Sequence, residues 1–196
     1  MVTVEVDPAR VESRLAAGEI RCPDCGGVLA GWGHARVRSI TGLADPVRPR
    51  RARCRACAAT HVLLPLTVLL RRAYAAERIW AALSARAQGL GHRRIEGVVR
   101  VPAATVRGWL RRAAGRLEAV RNWFLGIAVS VGVDVVIPDG AGCPWRDALS
   151  AVATATTAIG FRFGGAGLLG AVTPGAVAVA ASGGRLLAPG WLSSRG

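Results

Sequence analysis

Cys22-Pro23-Asp24-Cys25 and Cys54-Arg55-Ala56-Cys57 are the stretches from which the rest of the chain can be read. Each places two thiols on one tight turn, the spacing of a metal-binding knuckle. Two knuckles supply the four ligands of a closed tetrahedral zinc site. Redox pairs of the same form usually occur singly, and here there are two. Buried thiols or an adventitious disulfide pair are the competing explanations, and neither calls for two correctly spaced knuckles. Cys22, Cys25, Cys54 and Cys57 are therefore the expected ligands of a structural Zn²⁺. Four protein sulfurs leave no open position for water, so the ion would hold structure and not catalyse.

The 28 residues between Cys25 and Cys54 exceed the roughly 15–20 of a common zinc ribbon. A longer hairpin carrying Trp32, His34, Pro46 and Pro49 absorbs the difference. His61, four residues past Cys57, stands as a substitute ligand. Cys143 has no local partner and reads as a small buried residue.

Outward from the knuckles the chain divides into three parts. Residues 1–66 have ribbon character, with Gly26-Gly27 after the first knuckle and short apolar stretches at Val28–Leu29 and Val62–Leu64. A strand at Val2–Val6 and a polar helical turn lead into them. From Ala73 the apolar spacing becomes helical. It predicts helices over Ala75–Gln88 and His92–Val99, the second with Ile95, Val98 and Val99 inward. A third begins at Pro102, where the missing N–H costs little, and runs to about Arg116 or on towards Val120. This three-helix unit, residues 67–118, is followed by an Ala/Gly-rich region, 119–196, with expected helices at 117–131, 145–160 and 174–181. The fold class is mainly α with a small β zinc ribbon.

Charge follows the same division. All 26 basic residues are arginine, against 12 acids, for a net charge of +14. From Arg21 to Arg116 there are 19 arginines and four acids, a net +15, whereas residues 117–196 hold five arginines and four acids. A field of that sign attracts polyanions, and the part that carries the motifs also carries the charge. Residues 163–184 hold 22 uncharged residues, nominally enough to cross a bilayer. Seven glycines and a proline within them make insertion poor, so a membrane is the less expected partner. No secretory signal is visible in Met1–Ile20. The expected location is a reducing cytoplasm, where paired Cys-x-x-Cys motifs hold metals more often than disulfides.

The segment Gly91-His92-Arg93-Arg94-Ile95-Glu96-Gly97-Val98-Val99-Arg100-Val101-Pro102-Ala103-Ala104-Thr105-Val106-Arg107-Gly108-Trp109-Leu110-Arg111-Arg112 has helix-turn-helix layout. Ile95, Val99, Val101, Val106 and Trp109 fall at its buried positions. Ala103, Ala104, Thr105, Arg107, Gly108 and Arg111 remain on the outer face of the third helix. Small residues there permit close approach to a major groove, and arginine can contact guanine bidentately or grip phosphate. On these residues the chain resembles the helix-turn-helix regions of transposases and resolvase-like proteins. Together with the knuckles it resembles a bacterial zinc-ribbon/helix-turn-helix family, similar to the N-terminal regions of insertion-sequence transposases, over about residues 20–120. The resemblance implies duplex DNA as partner. Two departures stand out: Glu96 occupies a close helix crossing where alanine is usual, and Arg100 takes the turn position that favours glycine.

A transposase needs clustered carboxylates to hold two metals. After the third helix only Glu118, Asp134, Asp139 and Asp147 remain, so no catalysis is expected. The expectation is a zinc-stabilised DNA-binding protein, nucleoid-associated, either a regulator or a detached recognition part of a mobile-element protein. Ala104, Thr105, Arg107, Gly108 and Arg111 would face the bases, with Arg93, Arg94 and Arg112 on phosphates. Arg48, Arg50, Arg51, Arg53 and Arg55 of the ribbon would extend the footprint. The apolar C-terminal region would supply a homodimer contact. The rival expectations are a zinc-ribbon protein–protein adaptor and a basic protein held at a membrane through residues 163–184.

Overall fold

The computed structural model describes residues 1–132, 134–167 and 169–192. Its first 65 residues build a four-stranded mixed sheet from β1 (Val2–Val4), β2 (Leu29–His34), β3 (Arg50–Cys54) and β4 (Thr60–Pro65). The strand order is β1-β4-β3-β2, with β1 parallel to β4 and the other pairs antiparallel. Between β1 and β2 lies a nine-residue helix, α1 (Pro8–Ala16), where the sequence suggested only a turn. The Asp7 side chain accepts from the Ala9 N–H, and Pro8 fits the first turn. Val11 and Leu15 are buried against the sheet, and Arg14 bonds the buried Glu5 at 2.7 Å.

Three helices follow: α2 (Ala76–Ala87), α3 (His92–Val99) and α4 (Ala103–Ala114). Ile79, Ala82 and Leu83 of α2 share a core with Ile95, Val99, Val101, Val106 and Trp109. Tyr74 meets Trp109 edge-on, with ring centroids 5.2 Å apart. Arg100 ends α3 in the left-handed region at φ 53°, the conformation its turn position demands. Its N–H bonds the Glu96 carbonyl, while the Glu96 side chain turns outward to solvent. One expectation is corrected here. Val98 is 61% exposed: the short α3 meets α2 and α4 along the Ile95–Val99 row, four residues apart, and Val98 falls outside that contact.

The remaining elements are α5 (Leu117–Val131), α6 (Pro144–Phe163), the short hairpin β5 (Ala166–Gly167) and β6 (Gly170–Ala171), and α7 (Pro174–Ala181). Gly115 and Arg116 separate α4 from α5, so the third helix stops before Arg116. Helices α5 and α6 lie side by side in the same direction. Leu117 and Val120 sit beside Trp145, Ala148 and Val152 at one end, and Gly132 meets Ala158 at the other. A parallel pair needs a return of its own length. Fifteen residues of helix rise about 22 Å, which the extended stretch between α5 and α6 readily covers. Alanines 148, 151, 155 and 158 lie buried along α6, Ala158 beside Gly132 at the end of α5, and the fully buried Phe124 of α5 belongs to the same cluster. The buried side chains of α2–α4 and of α5–α7 form one continuous cluster, from Leu69 to Trp191. No helix among the described residues is long and apolar enough to cross a membrane. The span 163–184 is broken up: it holds the last residue of α6, the two short strands β5 and β6 and the eight-residue α7.

Candidate functional site

Each knuckle is a tight turn closed by its own backbone. In the first, the Gly26 N–H bonds the Cys22 carbonyl at 2.9 Å and the Cys22 N–H bonds the Gly27 carbonyl at 2.8 Å. In the second, the Ala58 N–H bonds the Cys54 carbonyl at 3.1 Å and the Cys54 N–H bonds the Ala59 carbonyl at 2.9 Å. The left-handed position after each turn is filled by Gly26 (φ 72°) in one and Ala58 (φ 59°) in the other. The first cysteine of each pair is buried and the second exposed.

The sheet register brings the two turns together. Leu29 pairs with Cys54, which sets the Cys22–Cys25 turn directly over the end of β3. Cys22 Sγ lies 3.8 Å from Cys57 Sγ, and Cys25 Sγ lies 3.5 Å from Cys54 Sγ. All four sulfurs fall within 4.8 Å of one another. A tetrahedral ion with metal–sulfur bonds of about 2.3 Å requires sulfur separations of about 3.8 Å, far longer than a disulfide bond. Gly27 fits the same purpose: a Cβ there would come within 2.9 Å of Cys54 Sγ and 3.3 Å of Cys25 Sγ. The four cysteines are thus placed to hold a metal ion, as the sequence indicated.

Local hydrogen bonds bias these thiols. The Cys57 N–H, pointing at the Cys54 sulfur, leads in lowering that thiol to about 7. At Cys57 the Ala59 N–H pulls the other way from the neighbouring sulfurs of Cys25 and Cys54, which push the group up to about 12. An arriving ion must therefore displace protons. His61, buried on β4, sets Nε2 3.3 Å from Cys22 Sγ and 3.7 Å from Asp24 Oδ2. Burial, then the charged N-terminus, pulls the imidazole below its ordinary value, and Nε2 lies within reach of the sulfur it could replace as ligand. Cys143 departs from expectation. It is half-buried at the start of α6, where the Arg146 N–H lowers its thiol.

The second group of expected residues lies on α3 and α4. Arg93 and Arg94 are exposed on α3, and Ala104, Arg107, Arg111 and Arg112 on α4, with Thr105 and Gly108 half-buried. Val106, Trp109 and Ala113 hold the opposite face of α4 in the core. None of the ion pairs among the described residues involves an arginine of α3 or α4. Gly108 has a specific partner: Arg112 folds back along the helix, its Nη1 3.0 Å from where a Cβ on Gly108 would stand.

Sequence reasoning missed a further arginine cluster. Arg72 Nη2 donates to the Leu187 carbonyl at 2.6 Å, and Arg116 Nη1 donates to Ala188 at 2.7 Å and Trp191 at 3.1 Å. Burial, then the nearby Arg112 and Arg116, holds Arg72 below the usual guanidinium range. Contacts between residues more than 70 apart leave no trace in local spacing. Comparisons with protein-family models, with curated proteins and with solved structures found no match for the chain.

Proposed function

We propose that this chain is a zinc-stabilised helix-turn-helix protein that binds double-stranded DNA and has no catalytic role. It would serve as a transcriptional regulator or as the recognition part of a transposase-derived protein, associated with the nucleoid. One observation carries the proposal: the outer face of α4 combines the small Ala104 with Arg107 and Arg111, exposed and without acidic partners among the described residues. Such a surface can approach base edges while its guanidinium groups remain available. Arg93, Arg94 and Arg112 lie on the flanks, where phosphate contacts would set the register. Zinc suits four thiolates with tetrahedral spacing and no preference for an open position.

Residues 119–196 would then join two chains on a palindromic site. Val129, Val136, Ile137, Phe161 and Phe163 support this, being 52–89% exposed on α5, α6 and the stretch between them.

The test is a salt titration of binding to a random-sequence duplex pool, with zinc-loaded and chelator-stripped protein. Selection of a sequence, lost with the metal, supports the proposal; weak binding that only fades with salt overturns it. Within the selected site, Arg107→Ala should cost about 1–3 kcal/mol and relax one position. Arg112→Ala should weaken all sequences alike and reduce the salt slope by about 0.9.

A further inference from the structure

Strand β2 is irregular at one place, and the irregularity is built. Its register with β3 shifts between Gly31 and Gly33, leaving Trp32 as the extra residue of a β-bulge. Gly33 adopts φ 108°, which other residues rarely reach. Gly31 makes room for Arg50, since a Cβ there would collide with the guanidinium. Arg50 in turn ties the bulge down: Nη1 donates to the Gly33 carbonyl at 2.6 Å and Nε to Glu12 of α1 at 2.6 Å.

The result is an indole set out from the sheet. Trp32 is 56% exposed, although its neighbour Gly31 pairs with Ala52 in the buried core of the same sheet. The Arg53 guanidinium covers it at 4.9 Å from the ring, and is itself held by the Ala58 carbonyl. Alternation along β3 puts Ala52 and Cys54 inward, so Arg51 and Arg53 share the outward face, with Thr60 opposite Arg53. The acid nearest this strand in the hydrogen-bond network, Glu12, is taken by Arg50.

We propose that Trp32 and Arg53 form a stacking site for an unpaired nucleobase of single-stranded DNA, with Arg51 on the adjoining phosphate. A flat aromatic on a basic sheet face matches that ligand, because every base offers a π-face and every linkage a charge. A duplex hides its base faces, so this surface is distinct from the one on α4. The two are independent, and either can fail alone.

The experiment measures binding of the full zinc-loaded chain to an oligo-dT of about 12 nucleotides, within the usual site size for such surfaces, and to a duplex of equal length. Trp32→Ala should weaken oligo-dT binding roughly tenfold, and Trp32→Phe should retain most of it. Arg53→Ala should weaken it at any salt concentration, and Arg51→Ala should weaken it and lower the salt slope by about 0.7. Arg107→Ala should leave oligo-dT binding unchanged while weakening the duplex. Equal oligo-dT affinity for the parent and Trp32→Ala, or for Trp32→Leu and Trp32→Phe, overturns the stacking site. Tighter binding of oligo-rU with the same Trp32 dependence overturns the assignment to DNA. Metal content and circular dichroism of each variant verify that the fold is intact.

Discussion

Among the described residues, the cluster beneath the four sulfurs holds nine buried apolar residues, two of them cysteines, and a neighbouring one around Leu64 of β4 holds four, whereas the cluster running through α2–α7 holds 27. The first set is too small to carry a fold of this size unaided, and a metal ion held by Cys22, Cys25, Cys54 and Cys57 would supply the missing cohesion. The second set needs no ion: it is a large packed cluster that includes Phe124 of α5 and the buried alanines of α6. On the proposed reading, one chain combines coordination in one region with a large packed core in the other. The two should respond to different insults.

Removing the metal should produce the largest effect. Chelation, or Cys22→Ser at the buried ligand, should melt the sheet while most helical circular dichroism survives; loss of both signals together would mean the regions unfold as one. Phe124→Ala is the converse, expected to cost about 3–5 kcal/mol in thermal or denaturant unfolding. Metal stoichiometry, measured spectroscopically, should stay unchanged. Ala151→Leu tests the packing along α6, and overpacking there should cost about 1–3 kcal/mol. Smallest is Arg100→Gly, which relieves a left-handed residue and should raise stability by up to about 1 kcal/mol, visible as a higher denaturation midpoint. A lower midpoint would mean that Arg100 contributes contacts worth more than its strain.

The same contrast explains what could be read from the sequence. The knuckles were legible because four ligands at fixed spacing encode their geometry locally. Helices α3, α5 and α7 were legible because their apolar periodicity, or the breaks beside them, is local too. Helix α1 was not, since Pro8–Ala16 has only Val11 and Leu15 to mark a face and is otherwise polar. Pairing of β1 with β4 in parallel depends on residues some sixty positions apart, which no spacing rule reaches. At Val98 the local pattern misled: the spacing that buries Ile79, Ala82 and Leu83 on α2 leaves Val98 exposed on α3, because which face meets a neighbour is decided by tertiary packing. Trp32 was noticed in the hairpin, but only the Gly31–Gly33 register shift reveals where it is aimed.

The clasp of Arg72 and Arg116 on the carbonyls of residues 187–191 bears on how the chain is made. As synthesis proceeds, Arg116 emerges 72 residues ahead of Ala188, and Arg72 emerges 115 residues ahead of Leu187. Until those carbonyls arrive, two guanidinium groups beside α2 and α4 have none of their eventual acceptors. A ribosome-bound chain can therefore form the three helices early but cannot complete their environment until nearly all of α7 and the following turns are present. Stalled or shortened chains should be cut readily by protease near Arg72 and Arg116, at sites that the finished protein protects.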